Sequence, residues 1–196
     1  LFTHALEVTE RNVLAHDILG RYYLERKQFS DAEKQFRAAL AINPEYPQGV
    51  NSLAQSLLMQ EKLAEAESAL MIGLAKHPND VDFLFTLGRT LNGQSRYAEA
   101  AKRFEEALTH ASGNSAILTA HATALGRLGR YYDAIAEYER ALKIDPRNAL
   151  AHVNLAGAFL AVDDLDKARQ HASEAFRLDP SLKFAQEIID QTRPSP

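Results

Sequence analysis

The chain has 196 residues, of which 46% are hydrophobic and 24% charged, with a formal charge of −4 and no cysteine. The missing cysteines exclude disulfides and thiolate metal sites, and the acidic balance, with a pI near 6.0, argues against a nucleic-acid backbone as the main ligand. No apolar run approaches the roughly 18 residues that span a bilayer, and the composition is ordinary for a globular chain of one or two domains.

In chain order, a short apolar-periodic stretch over 1–12 is followed by two longer ones, 13–26 and 29–42. Leu19, Tyr23 and Leu24 in the first, and Phe29, Phe36, Ala39 and Leu40 in the second, fall at helical spacing. Pro44 ends the second, because it lacks an N–H and its ring clashes with the preceding turn. The pair then recurs. A step of 34 from Pro44 reaches Pro78, Ser112, Pro146 and Pro180, and the same step from Ala32 reaches Ala66, Ala100, Ala134 and Ala168. From Gly20 it reaches Ala54, Gly88, Ala122 and Ala156; from Phe36, Leu70, Phe104, Tyr138 and Ala172; from Ala39, Gly73, Ala107, Ala141 and Ala175. Repeats are therefore expected at 13–46, 47–80, 81–114, 115–148 and 149–182. The small positions allow two helices to approach closely, and the large one fills the wider space beyond. The prediction is an all-α fold, an α-solenoid of stacked antiparallel helix pairs.

The two ends read differently. Phe2 and Ala5 align with Phe36 and Ala39, so 1–12 is expected to be the second helix of a truncated upstream repeat, with more sequence before Leu1. Residues 183–196 read as a capping helix and tail. Phe184, Ile188 and Ile189 cover the last hairpin, Asp190 stands where Gly20 and Gly88 stand, and Pro194 and Pro196 close the array.

Leu19-Gly20, Tyr23, Ala32, Phe36, Ala39 and Pro44, with Leu87-Gly88, Leu91, Ala100, Phe104 and Ala107 two copies on, resemble the tetratricopeptide repeat. Ser112 in place of Pro, His121 in place of Leu and Ala172 in place of an aromatic depart from the pattern. The resemblance implies a right-handed superhelix of eleven or twelve helices that binds a protein or peptide in a concave groove lined by the first helix of each pair. The opening LFTHALEVTERNVLAH is also similar to the junction after the last membrane span in bacterial glycosyltransferase-like proteins of the protein mannosyltransferase class. That second likeness implies an extracytoplasmic appendage of an upstream membrane enzyme. Related repeats in pilus-assembly, magnetosome and secretion proteins are competing sources.

No residue pattern points to chemistry within this chain. His16 and His152 share one repeat position but stand four repeats apart; His77 and His110 end second helices, and His121 falls at a core position. H-E-x-x-H, a Gly-rich phosphate loop and the G-x-S-x-G elbow are all absent. The expectation is no enzyme, no cofactor and no metal. Carried over from the resemblance, the groove positions begin with Asp17, Ile18 and Arg21 and run on to Val153, Asn154, Gly157 and Leu160. The partner-binding residues chosen among them are Arg21, Asn51, Gln55, Phe85, Arg89, Asn92, Arg127 and Asn154. The carboxylate clamp that grips chaperone tails is missing, since Asp17 and Arg21 stand at its Lys and Asn positions. The asparagine ladder is missing too, because that position reads Ile18, Ser52, Thr86, Ala120 and Asn154. Arginine among apolar side chains suits an interface anchor, since its flat fork pairs with carboxylates and stacks on rings. A protein or peptide partner is expected, with no nucleic acid and no membrane insertion. The alternatives are an appendage of a membrane glycosyltransferase and self-assembly through Leu1, Phe2 and Leu6 of the opening helix.

Overall fold

The computed structural model describes residues 12–193. Among these the chain is all α, with eleven helices and no strand. They are α1 (Val13–Glu25), α2 (Phe29–Ile42), α3 (Pro47–Leu58), α4 (Leu63–Lys76), α5 (Val81–Gly93), α6 (Tyr97–His110), α7 (Ser115–Arg127), α8 (Tyr131–Ile144), α9 (Ala149–Ala161), α10 (Leu165–Leu178) and α11 (Lys183–Gln191). The helix expected over 1–12 and the closing Pro194 and Pro196 lie outside the described residues.

The boundaries follow local chemistry that repeats every 34 residues. Asn12, Asp80, Asn114 and Asn148 precede α1, α5, α7 and α9, and each side chain accepts a bond from an amide in the first turn. Such a cap satisfies one of the donors that a helix start leaves unpaired. At the other end of the first helices, Lys27, Glu61, Ser95, Gly129 and Asp163 all have positive φ, between 59° and 77°. The residue after each donates back to a carbonyl in the last turn, as Gln28 does to Tyr23 at 2.9 Å and Arg130 to Leu125 at 3.0 Å. This left-handed closure reverses the chain within a few residues.

Two compact units divide the chain, Leu1–Arg96 and Tyr97–Pro196. In the first, α1 packs on α2 and α3 on α4; in the second, α7 packs on α8 and α9 on α10, and α11 covers the last pair. Ala32, Ala66, Ala100, Ala134 and Ala168 are completely buried, as are Phe36, Leu70, Phe104 and Ala172. The glycine at position 20 has a specific cause, because a Cβ there would stand 2.5 Å from the Phe36 ring. In the second unit the core runs through Leu125, Tyr138, Leu155, Phe159 and Ile188.

Within each unit, consecutive first helices touch one another: α1 with α3, α3 with α5, α7 with α9 and α9 with α11. The backbones of consecutive second helices stand further apart, and α2 reaches α4 through the long side chains of Arg37 and Glu65, paired at 2.7 Å. The first helices therefore form the inner, closer-packed layer of each unit.

A polar clamp joins neighbouring hairpins in the first unit. Glu33 on α2 is buried and receives Arg37 at 2.9 Å, Lys62 at 2.8 Å and Gln60 at 2.9 Å. One repeat on, Glu67 receives Arg96 at 2.7 Å and Gln94 at 2.9 Å. Burial alone would raise the Glu33 carboxyl, but the bonds from Lys62, Arg37 and Gln60 outweigh it and hold the group at about 2. In the second unit the same position is Ala101, Ile135 and Arg169, and Arg169 instead donates to the Thr192 carbonyl at the end of α11, at 2.9 Å.

Candidate functional site

The inner layer of each unit carries a cavity on its first helices. In the first unit, Asp17 and Arg21 on α1, Asn51 on α3, Tyr46 in the turn before it, and Asp80 and Asp82 at the start of α5 surround about 240 Å³. Asp17 sits at a position expected to be exposed, yet it is 4% accessible. It lies beneath Arg21, whose Nε is 3.2 Å from Asp17 Oδ2. Burial and the neighbouring Asp17 carboxylate raise the Tyr46 hydroxyl above its ordinary value. Asn51 Oδ1 accepts from Thr86 Oγ1 at 2.7 Å, which fixes α3 against α5. Further along α5 the Arg89 guanidinium lies 5.9 Å from the centre of the Phe85 ring, within cation–π range. Burial lowers the pKa of Arg89. Gln55 is half-buried on α3, and Asn92 Oδ1 is buried without a hydrogen-bond partner.

In the second unit a cavity of about 470 Å³ is lined by Thr123, Arg127, Tyr131, Asn154, Gly157 and Phe184, among others. The Arg127 guanidinium lies 6.0 Å from the Tyr97 ring centre. Asn154 Nδ2 donates to Thr123 Oγ1 at 3.4 Å, and that hydroxyl meets Tyr138 Oη at 2.9 Å. Burial pushes the Tyr138 hydroxyl up to about 12, against the opposing pull of those two partners. Phe184, expected to cover the last hairpin, is 49% accessible, and its ring borders Gly157. Ile188, expected to cover the same hairpin, is buried. Val153, another expected groove position, is buried against Ala175 and Ala185.

The structure thus brings Arg21 and Asn51 to one cavity, Arg127 and Asn154 to another, and Phe85 and Arg89 into contact. Tyr46, Asp80 and Phe184 also line these cavities, and they enter from a turn, a helix cap and the last helix, where the spacing of groove positions along the paired first helices gives no sign of them. Pro44 and Pro47 on either side of Tyr46 were the available signal, since they hold that turn rigid.

His16, His152 and His171 make contacts between paired helices. His16 Nδ1 is 2.8 Å from Gln35 Oε1, and at the equivalent positions four repeats on His152 Nδ1 is 3.0 Å from His171 Nδ1. His152 Nε2 lies 3.1 Å from the Pro146 carbonyl and donates there. Burial, then the charges of His152 and Lys167, lower the pKa of His171. No group of three His, Asp or Glu side chains among the described residues is arranged to hold a metal ion. No helix among them is long and apolar enough to cross a membrane.

Two family models match the sequence: one described as TPR repeat over residues 124–163, and one as Tetratricopeptide repeat over residues 23–89. Both concern the repeat itself and add nothing to the likeness with membrane glycosyltransferases. No curated protein sequence matches the chain. PilF of Pseudomonas aeruginosa superposes with a TM-score of 0.80 at 21% identity, covering 97% of this chain and 86% of its own. A thermophilic TPR protein of Thermus thermophilus gives 0.77 at 17% identity, covering 92% and 98%. YrrB, a TPR protein described as having an unusual peptide-binding site, gives 0.68 at 16% identity, covering 95% and 96%. At these identities the likeness is one of fold.

Proposed function

Because this chain is an α-solenoid of tetratricopeptide repeats, we propose that it is a protein-interaction scaffold that holds an extended protein or peptide segment on the inner face of its first helices. The observation that carries this reading is the pair of cavities on that face, each lined by polar and aromatic side chains with an arginine at its edge. Arg21, Asn51, Gln55, Phe85, Arg89 and Asn92 contact the segment in one unit, Arg127 and Asn154 in the other. The repeat boundaries 13–46, 47–80, 81–114, 115–148 and 149–182 belong to the same proposal, as does the assignment of no catalysis to this chain. The peptide site ascribed to YrrB is consistent with it. Attachment to a membrane glycosyltransferase and self-assembly both rest on the opening stretch, and nothing in the described residues favours them.

The test is a contrast of two charge reversals, measured with peptides selected from a displayed random library. Arg89→Glu reverses a half-buried charge beside Phe85 and is expected to weaken binding by about 1–3 kcal/mol. Lys102→Glu changes an exposed lysine on α6, a second helix, and is expected to have little effect. Arg103 is a poorer control, because it is two-thirds covered and bonded to Glu106 at 2.7 Å. Equal binding by both variants moves the interface off the first helices.

A further inference from the structure

The cavity of the first unit is small and acidic. Its volume of about 240 Å³ falls below the roughly 300–1,000 Å³ of a small-molecule pocket, and it suits one side chain of a longer ligand. Asp17, Asp80 and Asp82 line it against a single guanidinium, Arg21. Arg21 reaches only Oδ2 of Asp17, at 3.2 Å. The other oxygen, Oδ1, is buried with no hydrogen-bond partner, on a side chain that is 5% accessible. A buried carboxylate with one oxygen unpartnered is costly to the fold, and a cation brought close to it relieves part of that cost. Asp80 spends one oxygen on the Phe83 amide at 3.0 Å. Among the described residues no cation lies within ion-pair distance of Asp80 or Asp82. The cavity thus carries two negative charges beyond its own arginine, and its acids are not grouped to hold a metal ion.

Building on the scaffold reading, we propose that this cavity is a subsite for one basic side chain, lysine or arginine, of an extended peptide lying across α1, α3 and α5. The charged head sits at the Asp80 and Asp82 carboxylates, over the buried charge of Asp17. The cavity of the second unit provides an internal contrast, since its lining holds Arg127, Tyr131 and Phe184 but no carboxylate.

The experiment pans a displayed library of random peptides on the full chain and then synthesises the selected peptides. One position enriched in lysine or arginine is expected. Replacing that residue by norleucine or citrulline, or changing the protein by Asp17→Asn, is expected to weaken binding about tenfold. Asp82→Asn, at a position that leaves the core untouched, is expected to do the same and keeps the test valid if the Asp17 variant fails to fold. Selected peptides with no basic preference, or unaffected by Asp82→Asn, while still weakened by Arg89→Glu, overturn the subsite and leave the scaffold reading standing. Peptides indifferent to both variants, or no selected peptide at all, overturn both.

Discussion

At position 121 a histidine stands where the other four repeats have Leu19, Leu53, Leu87 and Leu155, all buried. The His121 ring is 6% accessible, neither nitrogen has a hydrogen-bond partner, and the nearest carboxylate, Glu105, is 3.6 Å away. Burial lowers its pKa from the ordinary 6.5, although Glu137 and Glu105 oppose the shift. A buried polar ring without partners costs more than a hydrocarbon of similar size. His121→Leu is therefore expected to stabilise the protein by about 1 kcal/mol at pH 7.5. The depressed folded value means that the wild-type chain loses stability as the pH falls below 6.5, because the unfolded histidine takes up a proton that the folded one resists. The leucine variant removes that contribution, so its stability should fall less steeply below pH 6.5. Urea melts at pH 7.5 and pH 5.5 decide it, and a variant weaker than wild type at pH 7.5 refutes the argument.

Between elements, the clamp on Glu33 ties α2 to the turn that precedes α4. Its carboxyl is held at about 2, well under the ordinary 4.5, so its contribution is complete above pH 4.5 and is lost as the pH falls towards 2. Arg37 and Lys62 are 50% and 41% accessible, so solvent screens part of the gain. Glu33→Gln is expected to cost about 2 kcal/mol at pH 7 and to flatten the loss of stability between pH 4.5 and pH 2. Denaturant midpoints across that range test the sign, and an acid limb as steep as wild type's would place the proton uptake elsewhere. The helix pair α1–α2 shows the other kind of constraint. Gly20 is small because the Phe36 ring occupies the space of its Cβ, whereas the second copy combines Ala54 with Leu70. One position of the repeat is thus chosen by the size of another on the facing helix.

At the scale of a whole unit, each helix packs on its chain neighbours, and each first helix also meets the next first helix. Damage in such an array stays near its origin. Ala134 is completely buried, 3.9 Å from where a Cβ on Gly126 would stand. Ala134→Arg forces a charge into that contact at a cost of about 3 kcal/mol or more. Native-state hydrogen exchange is expected to show lost protection in α7, α8 and α9, with α1 to α3 protected as in the wild type. Uniform loss across all helices would mean that the array melts as one cooperative body.

The sequence by itself determined the helix pairs, their 34-residue register and the buried small positions, because each depends on spacing along one chain. Ala32 and its four counterparts, Pro44 and the Leu–small motif are legible wherever they recur. The left-handed turn residues were hidden, since Gly129 announces that conformation by type and Lys27, Glu61, Ser95 and Asp163 do not. The groove positions were named by analogy, and tertiary structure decided which of them are accessible. Asp17 went under Arg21, Val153 under α11, and Tyr46 and Phe184 entered from a turn and a cap. Accessibility depends on how the next hairpin covers a side chain, and that is set by the angle between helices, which no spacing along the chain encodes.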